Sequence, residues 1–423
     1  LYKSAEDVLN QVEAYKSSVK KAVFSTKFRN PKQLCALVME TLKYKAVLED
    51  VLQQTKLIQN TKGISRNIAL PLLYDFLIGK GIRCGGKFKK LIKTRKSAIN
   101  AAFARIKLKK KVSKTEDLVE KSNFTLPKYL RVNTLLTTTT KVMETLNKDG
   151  FTRVDCSVNE IVEKQFSSDP DIPNLLVFHF STDFHDHGLY KLGHLIFQDK
   201  SSCMPAFVLN PSPNSHVIDA CAAPGNKTSH LSAIMNNTGK LFAIDRSSER
   251  IEVMKKQLKK ASVKNCEVIN SDFLILKPTD EKFKQVEYIL VDPSCTGSGI
   301  ISRQLEHTEE KDSKCSKRLE SLSKFQLKVL NHALSFPNVK RVVYSTCSIH
   351  EEENELIVKL AVEQNSNFDL KKVLPKWHNR GLISDSFNAE KCVRCDPNVD
   401  FTNGFFVALF EKKMHEKLNT KPS

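Results

Sequence analysis

The sequence predicts a mixed α/β chain in three parts: an N-terminal helical domain, a small α+β module, and a doubly wound, mostly parallel sheet. Three observations carry this reading. Apolar residues recur at helical spacing over residues 1–82, short apolar runs broken by Pro and Gly occupy residues 123–200, and strand-like runs alternate with helical stretches from Ser201 onward. With 423 residues, 40% hydrophobic and 27% charged, the chain has globular composition and room for several domains.

In the first part, Val8, Leu9 and Val12, then Leu34, Leu37 and Leu42, then Ile68, Leu72 and Phe76 mark helix faces, and Gly79, Gly81, Gly85 and Gly86 end the pattern. Residues 82–114 hold thirteen Lys and Arg and no acid. This predicts a basic linker or arm over residues 83–122 that contacts phosphates. The formal net charge of +20 suits a polyanionic partner such as nucleic acid.

Apolar runs at 129–132, 175–178 and 195–197 make residues 123–200 the small α+β module. Beyond it, strands are expected at 217–219, 240–245, 266–270, 288–292 and 341–345, with a late strand at 404–410 and helices at 248–261 and 322–334. The sheet domain then spans residues 201–411. The charge-rich stretch 303–320 reads as a mobile loop and residues 412–423 as a disordered tail.

Eleven cysteines without regular spacing point to reduced thiols, and no apolar run of 18 residues or more suggests a membrane span. The first residue is Leu, so N-terminal targeting is not readable. Cys392 and Cys395 have the spacing of half a zinc site but lack a second pair, and His185 with His187 lacks further ligands; no metal is expected.

The turn after the first sheet strand, Asp219-Ala-Cys-Ala-Ala-Pro-Gly-Asn-Lys-Thr228, is rich in small residues that let a ligand approach the backbone. It is not a triphosphate-binding loop, because Asn226 and Cys221 stand where that pattern needs glycines. Only Gly225 is present of the three glycines in the dinucleotide pattern, so the loop suits a smaller ligand. Asp245 closes the second strand, where an acid accepts from ribose hydroxyls. Asp272 follows the third strand, in reach of an adenine amino group, and Asp292 ends the fourth. Together they describe a nucleoside pocket. Cys295 and Cys347 each lie just past a strand-like run, as a thiol nucleophile and a second, proton-handling thiol would.

These motifs, with Asp292-Pro-Ser-Cys-Thr-Gly-Ser-Gly299, Ser345-Thr-Cys-Ser348, Arg131-Val-Asn-Thr134 and Gln198-Asp-Lys-Ser-Ser202, resemble the Sun-domain family of RNA cytosine-5 methyltransferases. Cys84-Gly-Gly86 and the form of the Cys295 motif look most like its member-five branch, which acts on large-subunit ribosomal RNA. The resemblance implies a Rossmann-like methyltransferase sheet preceded by an RNA-binding module. It implies S-adenosyl-L-methionine as cofactor, held by Cys221, Ala222, Ala223, Pro224, Gly225, Asn226, Lys227, Asp245, Arg250, Asp272 and Asp292.

Cytosine C5 is too poor a nucleophile to take a methyl group until a thiolate adds at C6. The resemblance implies Cys347 as that nucleophile, Cys295 as the release residue, and Asp292 with Lys227 as contacts to the base; Cys295 as nucleophile is the lesser alternative. It implies RNA, as large-subunit rRNA or a pre-ribosome, for partner, and a nuclear, nucleolar location. Arg131 and Asn133 are candidate phosphate or base contacts. Two other functions remain open: a transfer RNA substrate, and a non-catalytic RNA-binding ribosome-assembly factor.

Overall fold

The computed structural model describes residues 1–413 apart from 15–17, 60–62, 83, 120–124, 302–312 and 385–386. The described residues up to 119 form one compact unit and those from 125 on a second.

The first unit is helical throughout: α1 (Tyr2–Glu13), α2 (Val19–Ser25), α3 (Pro31–Lys43), α4 (Lys45–Thr55), α5 (Arg66–Leu77) and α6 (Gly86–Lys109). Ser18, Asn30 and Ser65 cap α2, α3 and α5, each accepting from the backbone N–H three residues on. The stretch expected to be a basic linker or arm is instead mostly α6. Ile92, Ile99, Ala102, Phe103 and Ile106 fall on one stripe and are buried in the unit's core, against α4 and α5. Lys, Arg and Ala are good helix formers, so charge density here marks a helix face rather than loose chain. Residue 83 and residues 120–122 of that stretch lie outside the described residues.

The second unit opens with β1 (Lys128–Val132), α7 (Thr139–Lys148), β2 (Thr152–Arg153), β3 (Gln165–Ser168), β4 (Leu175–Phe178), α8 (Gly188–Lys191) and β5 (Leu195–Phe197). Their sheet runs β2-β3-β4-β1-β5, with β1 antiparallel to both β4 and β5.

After α9 (Lys200–Leu209) come β6 (His216–Asp219), α10 (Asn226–Ile234), β7 (Lys240–Asp245), α11 (Ser248–Lys260), β8 (Cys266–Asn270), β9 (Val286–Val291), α12 (Ser313–Leu334), β10 (Arg341–Thr346) and α13 (Glu355–Gln364). The described residues close with β11 (Phe368–Lys371), the short pair β12 (Ile383–Ser384) and β13 (Phe387–Asn388), then β14 (Val393–Cys395) and β15 (Phe405–Lys412). The main sheet runs β11-β15-β10-β9-β6-β7-β8. Strands β10, β9, β6, β7 and β8 are parallel, β15 is antiparallel to β10, and β11 and β14 are antiparallel to β15.

Alternation assigns the two faces of this sheet. Val217, Leu241, Leu290 and Val343 pack with Cys203, Met204 and Leu231 of α9 and α10, whereas Ile218, Phe242, Ile289 and Val342 pack with Val329, Leu330 and Val358 of α12 and α13. The doubly wound architecture expected from sequence is the one observed.

Two local expectations are corrected. Residues 313–320, read as loop, are the first turns of α12, because Cys315, Leu319, Leu322, Gln326, Val329 and Ala333 line one helical stripe beneath the charges; residues 303–312 lie outside the described residues. Lys412, assigned to a disordered tail, ends β15, while 414–423 lie outside the described residues.

Arg131 and Asn133, read as RNA contacts, are buried instead. Arg131 is 1% exposed, and its guanidinium donates to Gln198 Oε1 and Ser229 Oγ at 2.8 Å each. Burial pushes it down to about 10. Asn133 donates to the carbonyls of Gly193 (3.0 Å) and Ala261 (2.9 Å). Both side chains stitch the small module to the sheet domain. Arg131→Leu is expected to cost about 2–4 kcal/mol by removing the donors to the buried Gln198 Oε1 and Ser229 Oγ, read as a lower urea midpoint with an unchanged slope.

Candidate active site

Parallel strands deliver their loops to one edge, and the carboxyl ends of β6, β7, β8, β9 and β10 bring nearly all the sequence-predicted site residues there. Gly225 caps α10 with φ +105°, and a Cβ there would lie 2.9 Å from Met254 Cγ, so the turn is open to glycine alone. Ala222 and Ala223 pack on Ile251 and Met254 of α11. Ala223 N–H and Ser247 N–H donate to the two oxygens of Asp245, at 3.1 and 2.9 Å. The Arg250 guanidinium lies 3.3 Å from the same carboxylate and donates to the Ala223 carbonyl. Asp245, the Ala-Ala turn and Arg250 therefore form one cradle.

Asp272 stands one strand over, where the Asn270 amide and Ser271 N–H donate to the Asp245 carbonyl. One Asp272 oxygen accepts from Leu274 N–H at 3.0 Å as a helix cap, and the other lies 4.0 Å from Arg246. Burial pushes the Cys221 thiol up, so this cysteine is a packing group in the turn and not a reactive one.

The two thiols meet. Cys295 Sγ and Cys347 Sγ are 3.2 Å apart, at the ends of the loops that follow β9 and β10. Hydrogen bonding to Cys347 and burial together push Cys295 well above the usual thiol range, so it is held as a neutral S–H. Lys227 Nζ donates to Asp292 Oδ2 at 2.7 Å and Ser345 Oγ donates to Asp292 Oδ1 at 2.7 Å. Burial disfavours the Lys227 ammonium, but the Asp292 carboxylate more than offsets it and raises the lysine. The same ammonium lies 5.5 Å from the centre of the Phe405 ring.

Beneath the thiols lies a support that sequence reasoning missed. Glu353 is fully buried; its Oε1 accepts from Thr296 N–H (2.9 Å) and Gln326 Nε2 (2.8 Å), and its Oε2 from Thr296 Oγ1 (2.6 Å). A carboxylate that closes a run of three glutamates reads as solvated charge; its only distinguishing signal is a place six residues after Cys347. Gly299 N–H donates to the Cys347 carbonyl (2.9 Å) and Gly404 N–H to the Gly299 carbonyl (2.8 Å), and a Cβ on Gly299 would collide with Gly404. Backbone thus ties both thiol loops to the start of β15.

Comparison with known proteins gives the family. The profile described as "16S rRNA methyltransferase RsmB/F" matches residues 206–411, and the N-terminal and ferredoxin-like domains of "NOL1/NOP2/Sun domain family member 5" match residues 32–119 and 126–198. A Mus musculus protein named "28S rRNA (cytosine-C(5))-methyltransferase" is 44% identical over 97% of this chain and 91% of its own. The chain belongs to the Sun-domain methyltransferase family, in its member-five branch.

A Caenorhabditis elegans Sun-family relative, "26S rRNA (cytosine-C(5))-methyltransferase nsun-5", is 38% identical over 97% of this chain and 98% of its own. A solved methyltransferase homologue from Pyrococcus horikoshii, 25% identical, has a TM-score of 0.55 over 87% of this chain and 99% of that one. A second solved structure, 22% identical, shares the fold at TM-score 0.69 over 97% of this chain and 98% of that one.

The other sequence signals of this Sun-family chain have ordinary structural roles. Cys392 and Cys395 are buried, with Cys395 Sγ 3.6 Å from Met204 Sδ, and burial pushes both thiols up. His185 pairs with Asp183 (2.6 Å) and His187 with Asp149 (3.2 Å). Among the described residues no three His, Cys, Asp or Glu gather to hold a metal.

Asp219, at the foot of the cradle, carries a pH signature. Burial pushes its carboxyl up to about 7, against a hydrogen bond from Thr228 Oγ1 at 2.7 Å. A folded value above the unfolded one near 3.8 gives stability that is fully present at low pH and lost as pH rises through 7. Asp219→Asn is expected to be about as stable as the wild type at pH 4 and more stable at pH 8, read from melting temperatures across that range.

Proposed function

We propose that the chain methylates C5 of a cytosine in large-subunit rRNA, with S-adenosyl-L-methionine as donor and a transient Cys347–C6 bond. The observation that carries the reading is the Cys295–Cys347 contact beside the Lys227–Asp292 pair: a binding protein has no use for two thiols 3.2 Å apart at a sheet's ligand-binding edge. Named relatives that act on 28S and 26S rRNA support the substrate.

The cradle fits the donor's nucleoside. Gly225, Ala222 and Ala223 leave space against the backbone, Asp245 offers carboxylate oxygens to ribose hydroxyls, and Arg250 and Asp272 stand on either side. When bound, S-adenosyl-L-methionine supplies an electrophilic methyl group.

The protein's own residues do the rest. Cys347, as thiolate, forms a bond to C6 and drives electron density to C5, which becomes the methyl acceptor. Asp292, held by Lys227 and Ser345, has lone pairs to accept from the base's N4 amino group, and from N3 once it is protonated as C6 is attacked. Once C5 carries the methyl, its proton leaves to a base or water, the C5–C6 double bond re-forms and the C6–S bond breaks. Cys295, kept neutral, donates its S–H to the departing Cys347 sulfur. The target base must leave its stack to reach these groups, which favours single-stranded or loop RNA. The place of work is then where pre-ribosomes are made, the nucleolus.

The test incubates purified protein with unmethylated large-subunit rRNA, or with transfer RNA, and methyl-labelled donor. Label at cytosine C5 of the rRNA is expected. Label only in transfer RNA would move the substrate, and tight rRNA binding without transfer would make the chain an assembly factor.

A further inference from the structure

A cleft separate from the thiols opens between the small module and the sheet domain, with a volume of about 370 Å³. Its module wall carries Tyr190 and Phe197, ring centroids 4.9 Å apart and edge-on, with the His185 ring stacked on Phe197 at 5.1 Å. On its sheet-domain wall Lys260 Nζ lies 3.7 Å from the centre of the Tyr190 ring, and Gln257 and Asn226 add polar side chains. Among the described residues no Asp or Glu lines it directly, and Asp183 pairs with its His185 at 2.6 Å.

The walls are fixed rather than loosely apposed. The buried Asn133 amide bridges the Gly193 carbonyl on one side to the Ala261 carbonyl on the other, and buried Arg131 reaches Ser229. Gly193, at φ +78°, lets the chain touch the Lys260 carbonyl, where a Cβ would collide. Asn226 lines the cleft and donates to the Phe197 carbonyl at 3.2 Å, and the next residue, Lys227, pairs with Asp292.

We propose that this cleft binds an unstacked base of the RNA strand near the target cytosine, the base against Tyr190 and Phe197 and its phosphate beside Lys260. The chemistry selects that ligand. The half-buried rings of Tyr190 and Phe197 offer aromatic surface to a base of any identity, and the Lys260 ammonium beside Tyr190 is placed to meet its phosphate. The volume suits one nucleotide. The inference rests on RNA being the substrate, and it turns Arg131 and Asn133 from contacts with RNA into the frame of the site that makes them.

The experiment uses the full chain and a large-subunit rRNA fragment carrying 5-iodouridine. Filter binding and ultraviolet cross-linking are read without reference to methyl transfer. Tyr190→Ala is expected to weaken RNA binding and raise the RNA KM roughly tenfold, with kcat and donor affinity unchanged. Tyr190→Phe, which keeps the ring, should bind like the wild type, and Lys260→Gln should flatten the salt dependence of binding. Wild-type cross-links should map to Tyr190 or Phe197.

Unchanged RNA affinity in both Tyr190→Ala and Lys260→Gln would overturn the proposal, as would a loss of donor affinity in either, which would give the cleft to the donor. If rRNA is not the methyl acceptor, transfer fails in the wild type while binding and cross-linking still report on the cleft.

Discussion

Cys347→Ala is expected to yield no methylated RNA, whereas Cys295→Ala accumulates a protein–RNA adduct that survives denaturant. The two thiols are in contact but unequal. Hydrogen bonding to Cys347 and burial both raise the Cys295 thiol, which in the proposed mechanism makes it the donor and Cys347 the attacking sulfur. Without it, Cys347 still adds to C6 and the methyl is still transferred, but the sulfur leaves without a proton donor at 3.2 Å. Electrophoresis after denaturation, with labelled RNA, separates the outcomes. An adduct in Cys347→Ala that disappears in Cys295→Ala would exchange the two roles.

The second large effect is expected at the ion pair. Asp292→Asn and Lys227→Met should each lower single-turnover methyl transfer by about 10²–10³-fold, the magnitude seen when one preorganised polar group is removed from a reacting centre. The double substitution should cost little more than either alone. Lys227 and Asp292 are half-buried and in contact at 2.7 Å, so removing one already disarms its mate. Losses that multiply would show that the two contact the base independently.

Most of the sheet was legible because its strands are short apolar runs ended by functional residues. The predicted strand at 240–245 is Lys240–Asp245 and that at 266–270 is Cys266–Asn270. The grouping of the candidate site residues was legible for the same reason: a parallel sheet converts strand ends, far apart in sequence, into neighbours in space. Lost were the elements whose apolar stripe is diluted by charge, α6 and the start of α12. The support for the thiols was also hidden. Glu353 is buried by hydrogen bonds to Thr296 and Gln326, partners 57 and 27 residues away, and no local pattern announces such a network. Arg131 failed in the opposite sense, since a basic residue in an RNA-binding chain invites a phosphate while this one spends its donors inside the protein.

The position of β15 has a consequence for biosynthesis. This strand is the last among the described residues yet lies inside the sheet, between β10 and β11, with Gly404 at its start tied to the loops of both thiols. On the ribosome, Val342, Val343 and Tyr344 of β10 therefore emerge about 60 residues before the partner that covers their open edge, a delay of roughly 3–12 s at ordinary elongation rates. During that interval the β10 edge that β15 later covers has no strand partner on that side. An uncovered edge of β-branched and aromatic residues is a sticky one, so the newborn chain needs shielding until residue 412 is free.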